Sequence, residues 1–252
     1  MAIMRNFEEL IAEGESVPVE GWDFSWFAGR ATEQRPSWGY ARLIGERMAR
    51  AAAGLDVQTG GGEVLATIPQ PPPLLAATES WEPNLAVARR NLAPLGASVH
   101  HVGNEDALPF DDGTFDLVVS RHPVVTRFDE VARVLAPGGS YLSQQVGMGS
   151  MHELTAAMIG EFADNEARSP ERIAGEAEAA GLEVVDLRPE ALRAEFFDVG
   201  AVVVFLRKVI WTVPEFSVAR YRPQLLALHE RIEAEGPFTA TTRRFLIEAR
   251  KP

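Results

Sequence analysis

The chain contains no cysteine among its 252 residues. Disulfides, thiolate metal sites and a cysteine nucleophile are therefore excluded. Long apolar runs are missing too. The most hydrophobic stretch, 199–210, is interrupted by Arg207 and Lys208, so no membrane span is expected. The opening Met1-Ala-Ile-Met-Arg-Asn-Phe-Glu-Glu has no basic region followed by an apolar one, so no signal peptide is expected. A cytoplasmic location suits these absences. Positive charge is scarce: 24 Lys and Arg stand against 36 Asp and Glu, a formal net charge of −12. Nucleic-acid binders draw much of their affinity from neutralising phosphates. The balance argues against DNA or RNA as the main partner, although Arg243-Arg244 and Arg250-Lys251 form a small basic patch. No histidine–carboxylate group has metal-ligand spacing, so no metal is expected.

What is present is the alternation of a parallel sheet. Strands are predicted at 55–57, 74–78, 98–102, 115–119, 140–146 and 182–187, with a last strand over 238–248 that runs antiparallel. Helices are predicted between them. One starts at Pro83, one covers 128–135 and stops at Pro137-Gly138-Gly139, and others lie near 151–162 and 170–180. Residues 1–50 read as helical, with an aromatic-rich loop holding Trp22, Phe24, Trp26, Phe27, Trp38 and Tyr40. Ser37 is placed to cap a helix through Met48, and Gly54 to close it. Residues 198–236 read as helices broken at Trp211-Thr-Val-Pro-Glu. The whole is expected to be a single domain. Its parts are a helical cap (1–50), a ligand-binding core (51–197), a helical cap insertion (198–236) and the final strand (237–252).

The most informative stretch is Leu55-Asp56-Val57-Gln58-Thr59-Gly60-Gly61-Gly62-Glu63. It reads as a buried strand entering a glycine turn and then a helix. Glycines at such a junction let the backbone bend sharply and approach a ligand with no Cβ in the way. Glu79 ends the next strand, about 20 positions on, where an acid accepts hydrogen bonds from both hydroxyls of a ribose. An adenosine-type ligand is expected from this pair alone.

The order of motifs resembles a known family. Leu-Asp-Val-Gln-Thr-Gly-Gly-Gly-Glu is followed by Thr78-Glu79-Ser-Trp-Glu-Pro-Asn. Next come Gly103-Asn-Glu-Asp-Ala-Leu-Pro-Phe-Asp-Asp-Gly-Thr-Phe-Asp-Leu-Val-Val-Ser-Arg and Val131-Ala-Arg-Val-Leu-Ala-Pro-Gly-Gly139. Together they are similar to the class I S-adenosylmethionine-dependent methyltransferases, in particular the small-molecule, type 11-like members. The resemblance covers roughly 50–146. It implies an α/β, Rossmann-like, seven-stranded, mostly parallel sheet with the last strand antiparallel and helices on both faces. It also implies S-adenosylmethionine as cofactor and a small-molecule methyl acceptor as partner.

Carried over residue by residue, the resemblance makes Asp56 the acid of the glycine motif. Gln58, Thr59, Gly60 and Gly62 become its turn, and Glu79 with Ser80 the ribose-binding pair. Asn104 and Glu105 become the adenine-reading stretch, and Ser120 the end of the strand facing the cofactor. Arg121 and His122 fall where the methyl group is transferred. Two positions depart from the family pattern. Gln58 stands where the first glycine belongs, and Asn104 stands where an aspartate usually reads adenine.

His122 has two readings, a proton acceptor for the substrate or a residue that caps the loop before Pro123. Gln144 and Gln145 are expected at the substrate pocket or satisfied inside the fold. Asp106 and Asp116 read as structural, as do His100 and His101. His152 reads as a helix-start residue and His229 as packing. Trp211 and Phe216 are expected to roof an apolar pocket. Two other functions fit the same residues: a non-catalytic S-adenosylmethionine-binding or scaffold protein, and an RNA base methyltransferase.

Overall fold

A computed structural model describes residues 6–19 and 24–252. Trp22 and the opening Met1-Ala-Ile-Met-Arg lie outside the described residues. The elements run α1 (Phe7–Ser16), β1 (Ala31–Glu33), α2 (Tyr40–Met48), β2 (Ala53–Val57), β3 (Leu74–Glu79), α3 (Glu82–Leu92), β4 (Ser98–His101), β5 (Phe115–Arg121), α4 (Phe128–Val134) and β6 (Leu135–Val146). They continue α5 (His152–Ile159), α6 (Pro170–Ala179), β7 (Glu183–Phe196), α7 (Val199–Lys208), α8 (Val218–Glu235) and β8 (Phe238–Arg250). The strand order is β1-β7-β8-β6-β5-β2-β3-β4. Pairing is parallel from β6 through β5, β2 and β3 to β4, and antiparallel between β6 and β8. The fold is the expected Rossmann-like one with eight strands rather than seven. The extra strand is β1, three residues that pair antiparallel with the end of β7.

The chain divides into two compact units. One comprises residues 1–35, 149–165 and 191–243; the other comprises 36–148, 166–190 and 244–252. In the first, α1, α5, α7 and α8 enclose a core of Leu10, Leu154, Val202, Leu206 and Leu225. Asp198 caps α7 through the Ala201 amide at 2.8 Å and forms an ion pair with Arg30. The helices predicted over 198–236 are α7 and α8.

In the second unit the sheet is covered on both faces. Phe115, Val131, Val134, Tyr141 and Ile247 pack with α4 and α6 on one side. Ile44, Met48, Leu92, Val119 and Leu246 pack with α2 and α3 on the other. The assignment of Phe245 and Ile247 to one face and Leu246 to the other is the alternation that a buried strand imposes.

Four local expectations are corrected. The glycine turn does not run into an α-helix. Only a 3-10 turn, Leu65–Thr67, follows it, and the chain then meets Pro69, Pro71, Pro72 and Pro73, which cannot supply helical amide donors. Ser37 does not cap α2. Its amide and hydroxyl bind Glu190, and Gly39, in the left-handed conformation, starts the helix. Gly54 lies inside β2, where an added Cβ would sit 2.5 Å from the Met48 sulfur. The strand predicted to begin at Ser140 begins at Leu135 and passes through Pro137-Gly138-Gly139. The Gly138 amide and the Gly139 carbonyl there bond the main chain of Lys251.

Candidate active site

The site is built on the strand ends where the order switches between β5 and β2, the place where open α/β sheets take ligands. Asp56 is the penultimate residue of β2 and is buried. Its carboxylate accepts one hydrogen bond from the Thr59 hydroxyl at 2.6 Å. Removal from water raises its pKa to about 7; the Thr59 bond opposes this and the charge of Glu79 adds to it. The turn then closes on itself. The Thr59 amide donates to the Thr78 carbonyl and the Gly62 amide to the Thr59 carbonyl. Gly62, at φ +74°, packs against Leu92, and a Cβ there would lie 2.8 Å from Leu92 Cγ. Asn91 Nδ2 donates to the Gly61 carbonyl at 2.9 Å, which ties the turn to α3.

Glu79 ends β3 facing this turn. Its Oε2 accepts from the Gly60 amide at 2.8 Å. Its Oε1 accepts from the amides of Ser80 at 3.0 Å and Trp81 at 2.9 Å. A carboxylate has about four acceptor positions, so three amide bonds leave one open. Desolvation raises the Glu79 pKa, and the three amides counter that rise. Ser80 also accepts from His101 Nε2 through its carbonyl at 2.8 Å.

Beside the turn lies a small cleft lined by Gln58, Thr78, Asn104, Ser120, Val125 and Tyr141 among others. Gln58 adopts φ +57°, the conformation that glycine takes without cost. Its side chain is tied at both ends. Oε1 accepts from the Val124 amide and Nε2 donates to the Val125 carbonyl, each at 2.6 Å. Gln58 thus bridges the end of β2 to the loop after β5. Asn104 is the opposite case. Its Oδ1 is buried with no hydrogen-bond partner among the described residues. A buried acceptor without a donor costs about 1–3 kcal/mol.

Below the cleft runs a polar network that a buried parallel sheet would ordinarily lack. The Ser120 hydroxyl bonds the Tyr141 hydroxyl at 2.7 Å and the Ser143 hydroxyl at 2.8 Å. The Tyr40 hydroxyl donates to the Ser120 carbonyl at 2.7 Å. Gln145 Nε2 donates to the Thr126 hydroxyl at 3.2 Å. Trp38 Nε1 donates to Gln144 Oε1 at 2.8 Å, and Gln144 Nε2 lies 2.9 Å from His122 Nε2. Tyr141 and Thr126 were not singled out from the sequence. The signal was the run Ser140-Tyr-Leu-Ser-Gln-Gln, too polar for a strand buried on both faces.

The structure brings Asp56, Gln58, Thr59, Gly60, Gly62, Glu79 and Ser80 together around the turn. Gln58, Asn104 and Ser120 also line the cleft. Glu105 is exposed, and only its carbonyl is engaged, by Arg127 at 2.6 Å. Arg121 is exposed at the end of β5. His122 follows it at φ +54°, with its amide donating to the Gln144 carbonyl at 2.7 Å. Asp116 holds the amides of Ala52 and Ala53, and Asp106 caps the Gly103 amide. His152 pairs with Asp164, and His229 packs on Phe7. Among the described residues no cluster of histidine and carboxylate groups has the makings of a metal site, and no helix is long and apolar enough to cross a membrane.

The fold is Rossmann-like, a mostly parallel sheet with an antiparallel edge and helices on both faces. Residues 55–143 match the family described as methyltransferase domain. No curated protein sequence matches the chain. Several solved structures share its fold. One is a Bacillus halodurans protein described as a candidate methyltransferase, 19% identical, covering 85% of this chain and 100% of that one with a TM-score of 0.57. Another is the geranyl diphosphate C-methyltransferase of Streptomyces coelicolor, solved with Mg2+, geranyl diphosphate and S-adenosyl-L-homocysteine. It is 13% identical, covers 85% of this chain and 79% of that one, and has a TM-score of 0.51. The [4+2]-cyclase SpnF is 18% identical, covers 86% and 83%, and has a TM-score of 0.54. At these identities the likeness is one of fold.

Proposed function

We propose that the chain binds S-adenosylmethionine at the turn and cleft and transfers its methyl group to a small-molecule acceptor. The observation that carries this is the orphaned acceptor on the cleft wall. Asn104 Oδ1 lacks a donor, and the exocyclic amine of an adenine is a donor of the right kind. The open acceptor position of Glu79 suits a ribose hydroxyl in the same way. Glu79 puts negative charge beside the turn, and Asp56 adds to it as it ionises through about pH 7, which suits a cationic sulfonium. When bound, the cofactor supplies an electrophilic methyl group.

The rest falls to the chain. Holding the acceptor in line and excluding water supply up to about 7–11 kcal/mol of such a barrier. Arg121 and His122, at the end of β5, are the residues proposed to orient the acceptor. A net charge of −12 supports a small molecule over RNA as acceptor.

A non-catalytic adenosyl-binding protein is the second reading. Gln58 favours it, because its side chain bridges the cleft where a glycine would leave room. The fold alone does not choose between them, since the cyclase SpnF shares it. Calorimetric titration with S-adenosylhomocysteine tests the shared premise. Binding at micromolar concentration is expected, weakened about 100-fold in Glu79→Ala, because hydrogen bonds to a charged acceptor contribute about 1.5–3 kcal/mol each. No heat up to high micromolar concentration overturns both readings. Methyl transfer to any small-molecule acceptor then selects the first over the second.

A further inference from the structure

We propose that Trp38 and Gln144 hold His122 in a single neutral tautomer, with its proton on Nδ1, so that it meets the methyl acceptor as a hydrogen-bond donor and not as a base. The role toward substrate rests on the methyltransferase reading above; the tautomer does not. The argument begins at the indole, whose Nε1–H can only donate. The atom 2.8 Å from it must therefore be the carbonyl oxygen of the Gln144 amide. That choice settles the other end of the same amide, which presents NH2 to His122 Nε2 at 2.9 Å. Amide nitrogen has only hydrogens to offer there. His122 Nε2 must accept, and the ring proton is left on Nδ1.

Three further observations hold this arrangement in place. Trp38 and Gln144 are buried, at 3% and 4% exposure, so water is a poor competitor for either bond. Gln144 grips the histidine twice, through its side chain and through its carbonyl, which accepts the His122 amide at 2.7 Å. The His122 backbone is left-handed at φ +54°, a conformation costing about 1–2 kcal/mol outside glycine, and the two bonds from one neighbour maintain it.

Among the described residues no charged group that acts on the ring favours a second proton. The charged groups that act on it are Arg244 and Arg121, both positive, and they add to the desolvation that lowers its pKa well below the usual histidine value. Among the described residues none is hydrogen-bonded to Nδ1.

A chain of fixed donors, Trp38 to Gln144 to His122, thus ends in one N–H with no partner among the described residues. Gln144 and Trp38 are positioning residues. The class of acceptor follows: a small molecule with an oxygen or nitrogen lone pair for that N–H, whose proton, if it has one to lose, goes elsewhere than His122.

Long-range proton–nitrogen correlation spectra of the nitrogen-15-labelled full chain at pH 7 read the tautomer directly. The unliganded protein is expected to show His122 with a protonated Nδ1 and a bare Nε2. Gln144→Glu replaces the donor by a carboxylate and should move the proton to Nε2. Trp38→Phe frees the amide to turn and should mix the two tautomers. The four other histidines report in each spectrum whether the fold is kept. If Gln144→Glu does not fold, the wild type and Trp38→Phe still decide. An Nε2–H tautomer or an imidazolium in the wild type overturns the proposal. So does an unchanged tautomer in both folded variants. Titration with S-adenosylhomocysteine separates the two claims. The expected tautomer without ligand binding overturns the cofactor reading alone, and ligand binding with an Nε2–H tautomer overturns the relay alone.

Discussion

Two regions of the second unit are equally polar and oppositely finished. On the cleft wall Asn104 keeps a buried oxygen with no donor, and Glu79 has one acceptor position open beyond its three amides. Along β6, Ser143, Gln144 and Gln145 are buried with side-chain bonds in place. Unfinished bonds cost stability and are kept where a ligand completes them. Finished networks hold side chains in one geometry. On the proposed function, the first region receives a ligand and the second aims a group. Gln58 belongs to neither: it sits on the receiving wall with both ends already tied.

The largest effect expected concerns Asp56, beside the receiving region. Its folded pKa of about 7 lies above the unfolded 3.8. Between those values the folded chain holds a proton that the unfolded chain has lost. The resulting stability is fully present below about pH 4 and disappears as pH rises through 7. At 1.36 kcal/mol per pH unit the difference approaches about 4 kcal/mol. Denaturant unfolding of Asp56→Asn should lack that decline between pH 4 and pH 8. A parallel decline in variant and wild type would remove the burial penalty from the account.

Gln58→Gly should have a smaller effect, and it breaks the comparison at its odd member. Affinity for S-adenosylhomocysteine should rise about tenfold, equivalent to about 1.4 kcal/mol. Stability should change by less than about 1 kcal/mol, because lost hydrogen bonds are offset by relief of the left-handed backbone. Weaker binding would show that the glutamine belongs to the receiving wall.

Asn104→Ala should have the smallest effect, with two opposite signs. It removes the orphaned acceptor, so the unliganded protein should be unchanged or more stable by up to about 1 kcal/mol. Affinity for the same ligand should fall about fivefold. Thermal unfolding with and without ligand reads both, and a loss of stability without ligand would mean that the oxygen has a partner.

The fold was largely legible because its strands are buried on both faces. Leu74–Glu79 and Phe115–Arg121 are apolar runs that few other structures accommodate. What failed was decided by distant partners or short length. β1 has three residues and one antiparallel neighbour, so no period can show in it. The start of α2 moved from Ser37 to Gly39 because Glu190, 153 positions away, takes the serine. In the site, Asp56, Gly60 and Glu79 were readable because turn chemistry and strand ends are local. The Trp38–Gln144–His122 chain was not. Its members were visible singly, but their contact spans 106 positions and depends on which way one amide points.

The helix missing after the glycine turn has a consequence for which nucleotides the domain can tolerate. Dinucleotide-binding relatives of this architecture rest a pyrophosphate on the positive pole of the helix that follows the turn. Here a 3-10 turn and a proline run stand in its place, and two carboxylates flank the bend. A polyphosphate would therefore lack the attraction that such folds usually offer, whereas the positively charged side arm of the proposed cofactor would need no helix pole to rest on.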